Sequence, residues 1–241
     1  MQKIIKLAQL LRHRVMARML LQHRVAATTE HIEALAFFVP AGLLDVGANK
    51  GQFSIAARAI VPDVVIHAFE PLASAADQFA TVFAGDAHTT LHRVAIGARE
   101  GEAVFYVANR QDSSSLLKPG AGQIAAFGVE AETQITVDVR TIESMVALDT
   151  LPRPLLLKID VQGTELDVLL GIKRLDLIDA VYVEMSFMEL YEAQSVFDDV
   201  YMFLREKGFS LRGVFNQAST RRFGPTQADC LFVRNVDMQR P

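Results

Sequence analysis

Acids and amides stand at the ends of apolar runs along this chain, and they recur in a regular order. Asp45-Val46-Gly47-Ala48-Asn49, Glu70-Pro71, Arg93-Val94-Ala95, Asp160-Val161-Gln162 and Glu184 each close such a run. An acid in this position often caps the next helix, which would account for any one of them. Their repetition in register asks for a common ligand. Gly47 and Gly51 bracket a turn where a side chain would block close approach of the backbone. This Gly-x-Asn-x-Gly turn differs from the Gly-x-Gly-x-x-Gly arrangement that seats a pyrophosphate. Asp45, just before it, would repel a phosphate. It suits a cationic group such as the aminoacyl end of S-adenosylmethionine, held directly or through water. Glu70, 25 residues after Asp45, is placed to accept hydrogen bonds from the two hydroxyls of a ribose. The pattern fits a nucleoside without phosphates.

Such a ring needs a parallel sheet beneath it. Strands at 42–46, 64–69 and 89–95 alternate with helices at 51–60 and 72–83, which predicts an α/β, doubly wound sheet with helices on both faces. The rhythm changes at Gly97. Residues 103–108 and 134–139 read as an inserted antiparallel pair, joined by a Ser- and Gly-rich stretch, 109–132, expected to be a lid, a binding loop or disordered. A short helix at 141–147, a strong strand at 154–161, a helix to about 170, a strand at 180–185 and a helix at 197–207 follow. Runs 209–215 and 228–234 predict a closing hairpin around a loop at 216–227. Lys158, mid-strand between apolar residues, must snorkel or pair with an acid. His67, His88 and His92 read as core-edge or surface residues, and Arg221-Arg222 as a solvated pair near the expected substrate mouth.

At 241 residues with 51% hydrophobic and 22% charged residues, the chain suits one large soluble domain. A net charge of −4 supplies no field toward nucleic acid. Cys230 is the single cysteine, read as a buried thiol in a reducing compartment, which points to a cytoplasmic protein. No run is long enough to span a membrane. Residues 1–38 form a basic, amphipathic helical extension ahead of a domain at 39–241. Lys3, Lys6, Arg12, Arg14, Arg18 and Arg24 accompany apolar Ile4, Leu7, Leu10, Leu11, Val15, Met19 and Leu20 at helical spacing. That helix packs on its own domain or on a second subunit as a homodimer contact, or else lies on an anionic membrane.

At 45–54, Phe69-Glu70-Pro71, 157–165 and 227–233, together spread over residues 42–234, the sequence resembles the FkbM-type family of S-adenosylmethionine-dependent methyltransferases. The resemblance implies a Rossmann-like, seven-stranded methyltransferase sheet with the last strand antiparallel. It also implies methyl transfer to a hydroxyl of a sugar, glycan or natural product, with S-adenosylhomocysteine as product. Carried over, Asp45, Gly47, Asn49, Gly51 and Phe53 would surround the methionine end. Glu70 and Pro71 would hold the ribose, Val94 and Ala95 the adenine, and Asp160 and Val161 would face the transferred methyl. Asp160 is the expected general base or substrate orienter, with Glu184 second. The plain alternative for Asp160 is a hydrogen bond to the backbone of the next turn. Asp160 and Glu184 could also share a divalent metal, although no third acid at fixed spacing supports one. The sequence departs from the family at Gln162, commonly Glu, and at Arg93, commonly Asn. Two other functions compete: a non-catalytic nucleoside-binding scaffold, and an NAD-dependent oxidoreductase, which the missing third glycine disfavours.

Overall fold

The computed structural model describes Leu10 and residues 13–235. Lys3, Lys6, Arg12, Ile4, Leu7 and Leu11 of the basic helix therefore lie outside the described residues. The strands are β1 (Gly42–Val46), β2 (Val65–Phe69), β3 (Thr89–His92), β4 (Ala95–Ile96), β5 (Gly101–Ala108), β6 (Ala131–Arg140), β7 (Leu155–Ile159), β8 (Ala180–Ser186), β9 (Phe209–Thr220) and β10 (Gly224–Arg234). Seven form one sheet in the order β3-β2-β1-β7-β8-β10-β9. The first five of these run parallel, and β10 is antiparallel to both of its neighbours. The chain steps outward from β1 to β3, then returns to β7 on the other side of β1. The switch point therefore lies over the carboxyl ends of β1 and β7, where a ligand crevice opens.

All five positions of β1 and of β7 are buried, because helices cover both faces. The two-residue period sends neighbours to opposite cores. Leu43 and Leu156 pack with Ile55, Ile66 and Phe79, whereas Leu44 and Leu157 pack with Val181, Leu204 and Phe209. The helix Arg14–His23 joins the first of these cores, burying Met16 and Met19. Its Arg14 and Arg18 are exposed.

Three segments differ from expectation. The strand predicted at 89–95 stops at His92, and Ala95–Ile96 crosses to a small sheet, β4-β6-β5, that holds the antiparallel pair β5–β6. The stretch 109–132 is folded rather than loose. It carries a 3-10 turn at Gln111–Ser113 and a helix at Ala121–Phe127, and Ser113, Ser114 and Ser115 are buried. Its backbone is anchored by a bridge between Tyr106 and Ser115 and another between Pro119 and Tyr191. A Cβ at Gly122 would stand 2.1 Å from the Glu189 carbonyl oxygen, so the approach requires glycine there. The closing hairpin keeps its pairing to Thr220 and resumes at Gly224, leaving a short turn where a loop of 216–227 was expected. Register shifts along β10 break the alternation that would have marked the strand. Among the described residues no helix is long and apolar enough to cross a membrane.

If the lead-in helix belongs to the same cooperative unit as the sheet, Met16→Ala should lower the unfolding free energy by about 2–5 kcal/mol. Leu21→Ala, at a side chain 77% exposed, should cost no more than about 0.5 kcal/mol. Denaturant titration of both variants decides, and a neutral Met16→Ala would place the helix outside the unit.

Candidate functional site

The site begins with two turns in contact. Asp160 N–H donates to the Val46 carbonyl at 3.1 Å, tying the end of β7 to the end of β1. Gly47 has φ 76°, and a Cβ on it would fall 1.9 Å from the Asp160 carbonyl oxygen, so only glycine lets the turns meet. Asn49 also adopts positive φ, at 49°, a conformation asparagine tolerates.

Beneath the turns lies an ion pair. Asp45 and Lys158 are register partners on β1 and β7. Lys158 Nζ stands 3.1 Å from Asp45 Oδ1 and donates to the carbonyls of Gly47 at 2.8 Å and Val46 at 3.3 Å. Ser54 O–H donates to Asp45 Oδ2 at 2.6 Å. Burial works to lower the Lys158 pKa, but the attraction of Asp45 and Asp160 outweighs it and the net shift is upward, so the ammonium stays charged.

Glu70, 6% exposed, accepts the Asn49 N–H at Oε2 and the Leu72 N–H at Oε1, each at 2.8 Å. Burial pushes its pKa up to about 7, against the pull of those two donors. Asp160 is half-exposed and accepts from Gln162 Nε2 at 2.7 Å through Oδ1. The same amide donates to Glu184 Oε2 at 2.8 Å. Gln227 Nε2 takes the other Glu184 oxygen, and Tyr191 O–H donates to Gln162 Oε1 at 2.9 Å. Burial, then the charge of Asp160, raises the Glu184 pKa well above the usual carboxylate range. Glu165, whose pKa burial lifts to about 7, accepts the Gly163 N–H at 2.9 Å and so fixes the same turn.

A cavity of about 220 Å³ opens above these groups. Of the expected residues, Gly47, Asn49, Phe53, Glu70, Pro71, Val94, Ala95, Asp160 and Val161 line it. Three do not. Asp45 points beneath the cavity and is consumed by Lys158 and Ser54, so it reaches a ligand only through the lysine. Gly51 faces Phe79 and Phe83 of the neighbouring helix. Glu184 lies behind Gln162. In place of the alternative backbone bond, Asp160 takes the Gln162 side chain, whose amide also stands between the two acids where a shared cation would sit. Among the described residues no group of three or more His, Cys, Asp or Glu could hold a metal ion.

Sequence reasoning missed Thr28, His31 and Leu116, all on the cavity wall, and favoured a structural ion pair for Lys158. Ser114, within the serine run, also lines it. Nothing near His31 marks it, since its partners are Tyr182, Asn216 and Asp229. His67 and His92 stack on each other, their nitrogens 3.1 Å apart, away from the cavity.

Residues 45–211 match the family described as Methyltransferase FkbM domain, and the chain belongs to that family. It is similar to "Methyltransferase 1" of Beauveria bassiana, 26% identical over 186 residues that cover 70% of this chain and 72% of the relative. It is also similar to the 2-O-methyltransferase NoeI of Sinorhizobium fredii, 28% identical over 160 residues, 63% of this chain and 66% of the relative. Among solved structures, TehB from Haemophilus influenzae superposes with a TM-score of 0.50 at 6% identity, over 92% of this chain and 67% of that one. Magnesium protoporphyrin IX methyltransferase from Synechocystis, solved with bound S-adenosylmethionine, gives 0.46 at 12%, over 85% and 76%. The protein is an S-adenosylmethionine-dependent methyltransferase, and the oxidoreductase alternative is left without support. The cavity suits that cofactor in its donor set. Thr28 Oγ1, Asn49 Oδ1 and Thr164 Oγ1 belong to cavity-lining residues, are buried, and have no hydrogen-bond partner among the described residues.

Lys158→Met strips Asp45 of its paired cation and should destabilise the fold by about 3–5 kcal/mol. Asp45→Asn together with Lys158→Met should recover most of that loss. A double-mutant cycle by denaturant unfolding checks both, and strictly additive losses would show that the pair is not coupled.

Proposed function

We propose that the enzyme methylates a hydroxyl of a sugar, glycan or natural product. The observation that carries this is the cavity itself. It is small, and beside its apolar walls it offers a half-exposed carboxylate, Asp160, held in one orientation by Gln162. A carboxylate fixed this way can accept a hydrogen bond from a hydroxyl and aim its oxygen. The net charge of −4 argues against a polyanionic acceptor. NoeI, named as a 2-O-methyltransferase, points to the same acceptor chemistry.

The cofactor supplies an activated methyl group, so the protein is left to bind, to orient and to dispose of a proton. In this proposal Glu70 receives the ribose hydroxyls, and Pro71, Val94 and Ala95 form the slot for the adenine. Gly47, Asn49 and Phe53 line the methionine end, where the positive charge of Lys158 would attract the cofactor's carboxylate. Val161 backs Asp160. Glu184, raised in pKa and screened by Gln162, serves as a positioning residue rather than a base.

Calorimetric titration with S-adenosylhomocysteine tests the cofactor half. Ribose hydroxyls donate to an ionised Glu70, so binding favours the charged form. Affinity should therefore weaken as the pH falls through about 7, the pKa of Glu70 in the free protein. Glu70→Gln should bind about tenfold more weakly or worse and lose that step. A wild-type affinity flat from pH 6 to 8 would remove Glu70 from the ribose. For the acceptor half, methylation of a panel of glycosides should fall about 10²-fold in kcat with Asp160→Asn, while S-adenosylhomocysteine binding stays within about threefold. Unchanged turnover would remove Asp160 from the mechanism.

A further inference from the structure

His31 belongs to none of the family-matching stretches, yet its ring enters the cavity with Phe53, Lys158 and Asp160. We infer that His31 is the general base that takes the proton from the acceptor hydroxyl, with Asp229 of β10 holding it in place. The inference rests on the hydroxyl-methylating function proposed above.

The geometry is that of a base oriented by a second and third group. The His31 ring packs against Phe53, with centroids 5.3 Å apart, and edge-on against Tyr182, at 5.5 Å. Its Nδ1 stands 2.9 Å from the Tyr182 hydroxyl, 3.0 Å from Asn216 Nδ2 and 3.4 Å from Asp229 Oδ2. Asn216 Nδ2 also donates to that Asp229 oxygen at 2.8 Å, which fixes the carboxylate. One edge of the imidazole is thus fully engaged, while Nε2 makes no hydrogen bond among the described residues.

The other candidates are worse placed. Asp160 is bound through Oδ1 by Gln162, and Glu184 lies outside the cavity. His67 and His92 contact one another.

Four charged groups bear on His31: Asp229, Glu30 and Asp160 favour its protonation, and Lys158 opposes it. Burial outweighs them and lowers its pKa below the ordinary 6.5, so the ring is neutral near pH 7 and free to accept. Asp229 then stabilises the imidazolium. As the oxygen–carbon bond forms, the carbon–sulfur bond breaks and its electron pair stays on sulfur. The hydroxyl proton passes to Nε2, and leaves for solvent after the methylated product.

The competing arrangement has Asn216 donating to Nδ1 and the ring proton on Nε2, and the two are separable. Nitrogen-15 NMR of the histidine side chains, on protein saturated with S-adenosylhomocysteine, should show His31 protonated at Nδ1 and bare at Nε2. Kinetics on the glycoside panel should show kcat/KM rising with pH to a plateau near neutrality. His31→Gln should lose about 10²- to 10⁴-fold in kcat, together with the rising limb. Its affinity for S-adenosylhomocysteine should stay within about twofold, which also shows it folded. Asp229→Asn, at the positioning residue, should lose less and shift the limb to lower pH.

A proton on Nε2 would overturn the inference whether or not an acceptor is in hand. So would a His31→Gln enzyme that methylates hydroxyls at the wild-type rate with the limb intact, although hydroxyl methylation itself would then stand. If the wild type methylates only amines or thiols, the hydroxyl function fails first and the role of His31 fails with it.

Discussion

A single buried ammonium holds the two central strand ends in register. Lys158 has three N–H donors and meets three acceptors, Asp45 Oδ1 and the carbonyls of Val46 and Gly47. A lone charge in that position would be costly to bury, and a lone carboxylate equally so. Together they offset each other's charge, and Ser54 donates to the remaining Asp45 oxygen. The arrangement also points the carbonyls of the glycine turn down toward the lysine. The Gly47 and Ala48 N–H groups are in turn spent on the Phe69 carbonyl at the end of β2, each at 3.0 Å. Three adjacent strand ends are thereby locked to one another, and the cavity above them inherits that rigidity.

A second layer of polar groups fastens the inserted segment to this platform. Ser115 O–H donates to the Gln162 carbonyl at 2.7 Å, and the Tyr191 hydroxyl, which donates to Gln162 Oε1, also stands 2.9 Å from the Ser113 carbonyl oxygen. Gln162 is the hub. Its amide offers two donors to two acids, where a carboxylate would add a third. The amide therefore sets a hydrogen-bonded bridge between Asp160 and Glu184 against their mutual repulsion.

Much of this was legible in the residues. The apolar runs of β1 and β7 announced strands covered on both faces, and the glycine turn and Glu70 were read as neighbours of one cavity, which both line. The fate of Asp45 was hidden, because sequence spacing gives a residue's charge and strand but not which neighbour captures it. The lysine that does so was seen, but as a separate feature. The segment 109–132 read as loose because its glycines and serines suit a flexible loop. In the fold they serve close packing against the stretch around Tyr191. β9 ran past its expected end because Asn216 and Gln217 interrupt its alternation. His31 was out of reach altogether. It lies in the lead-in, and its partners stand on β8, β9 and β10.

That separation has a topological consequence. The contact between Asn49 and Glu70 spans 21 residues, whereas the one between His31 and Asn216 spans 185. The ratio is a little over three doublings, so closing the longer loop costs about 2 kcal/mol more in chain entropy. The half of the cavity around Glu70 is built from local crossings of the sheet. The half around His31 exists only once the last two strands have returned to the lead-in. The two halves thus differ in contact order, and a chain emerging from the ribosome holds every residue of the first long before it holds the last partner of the second.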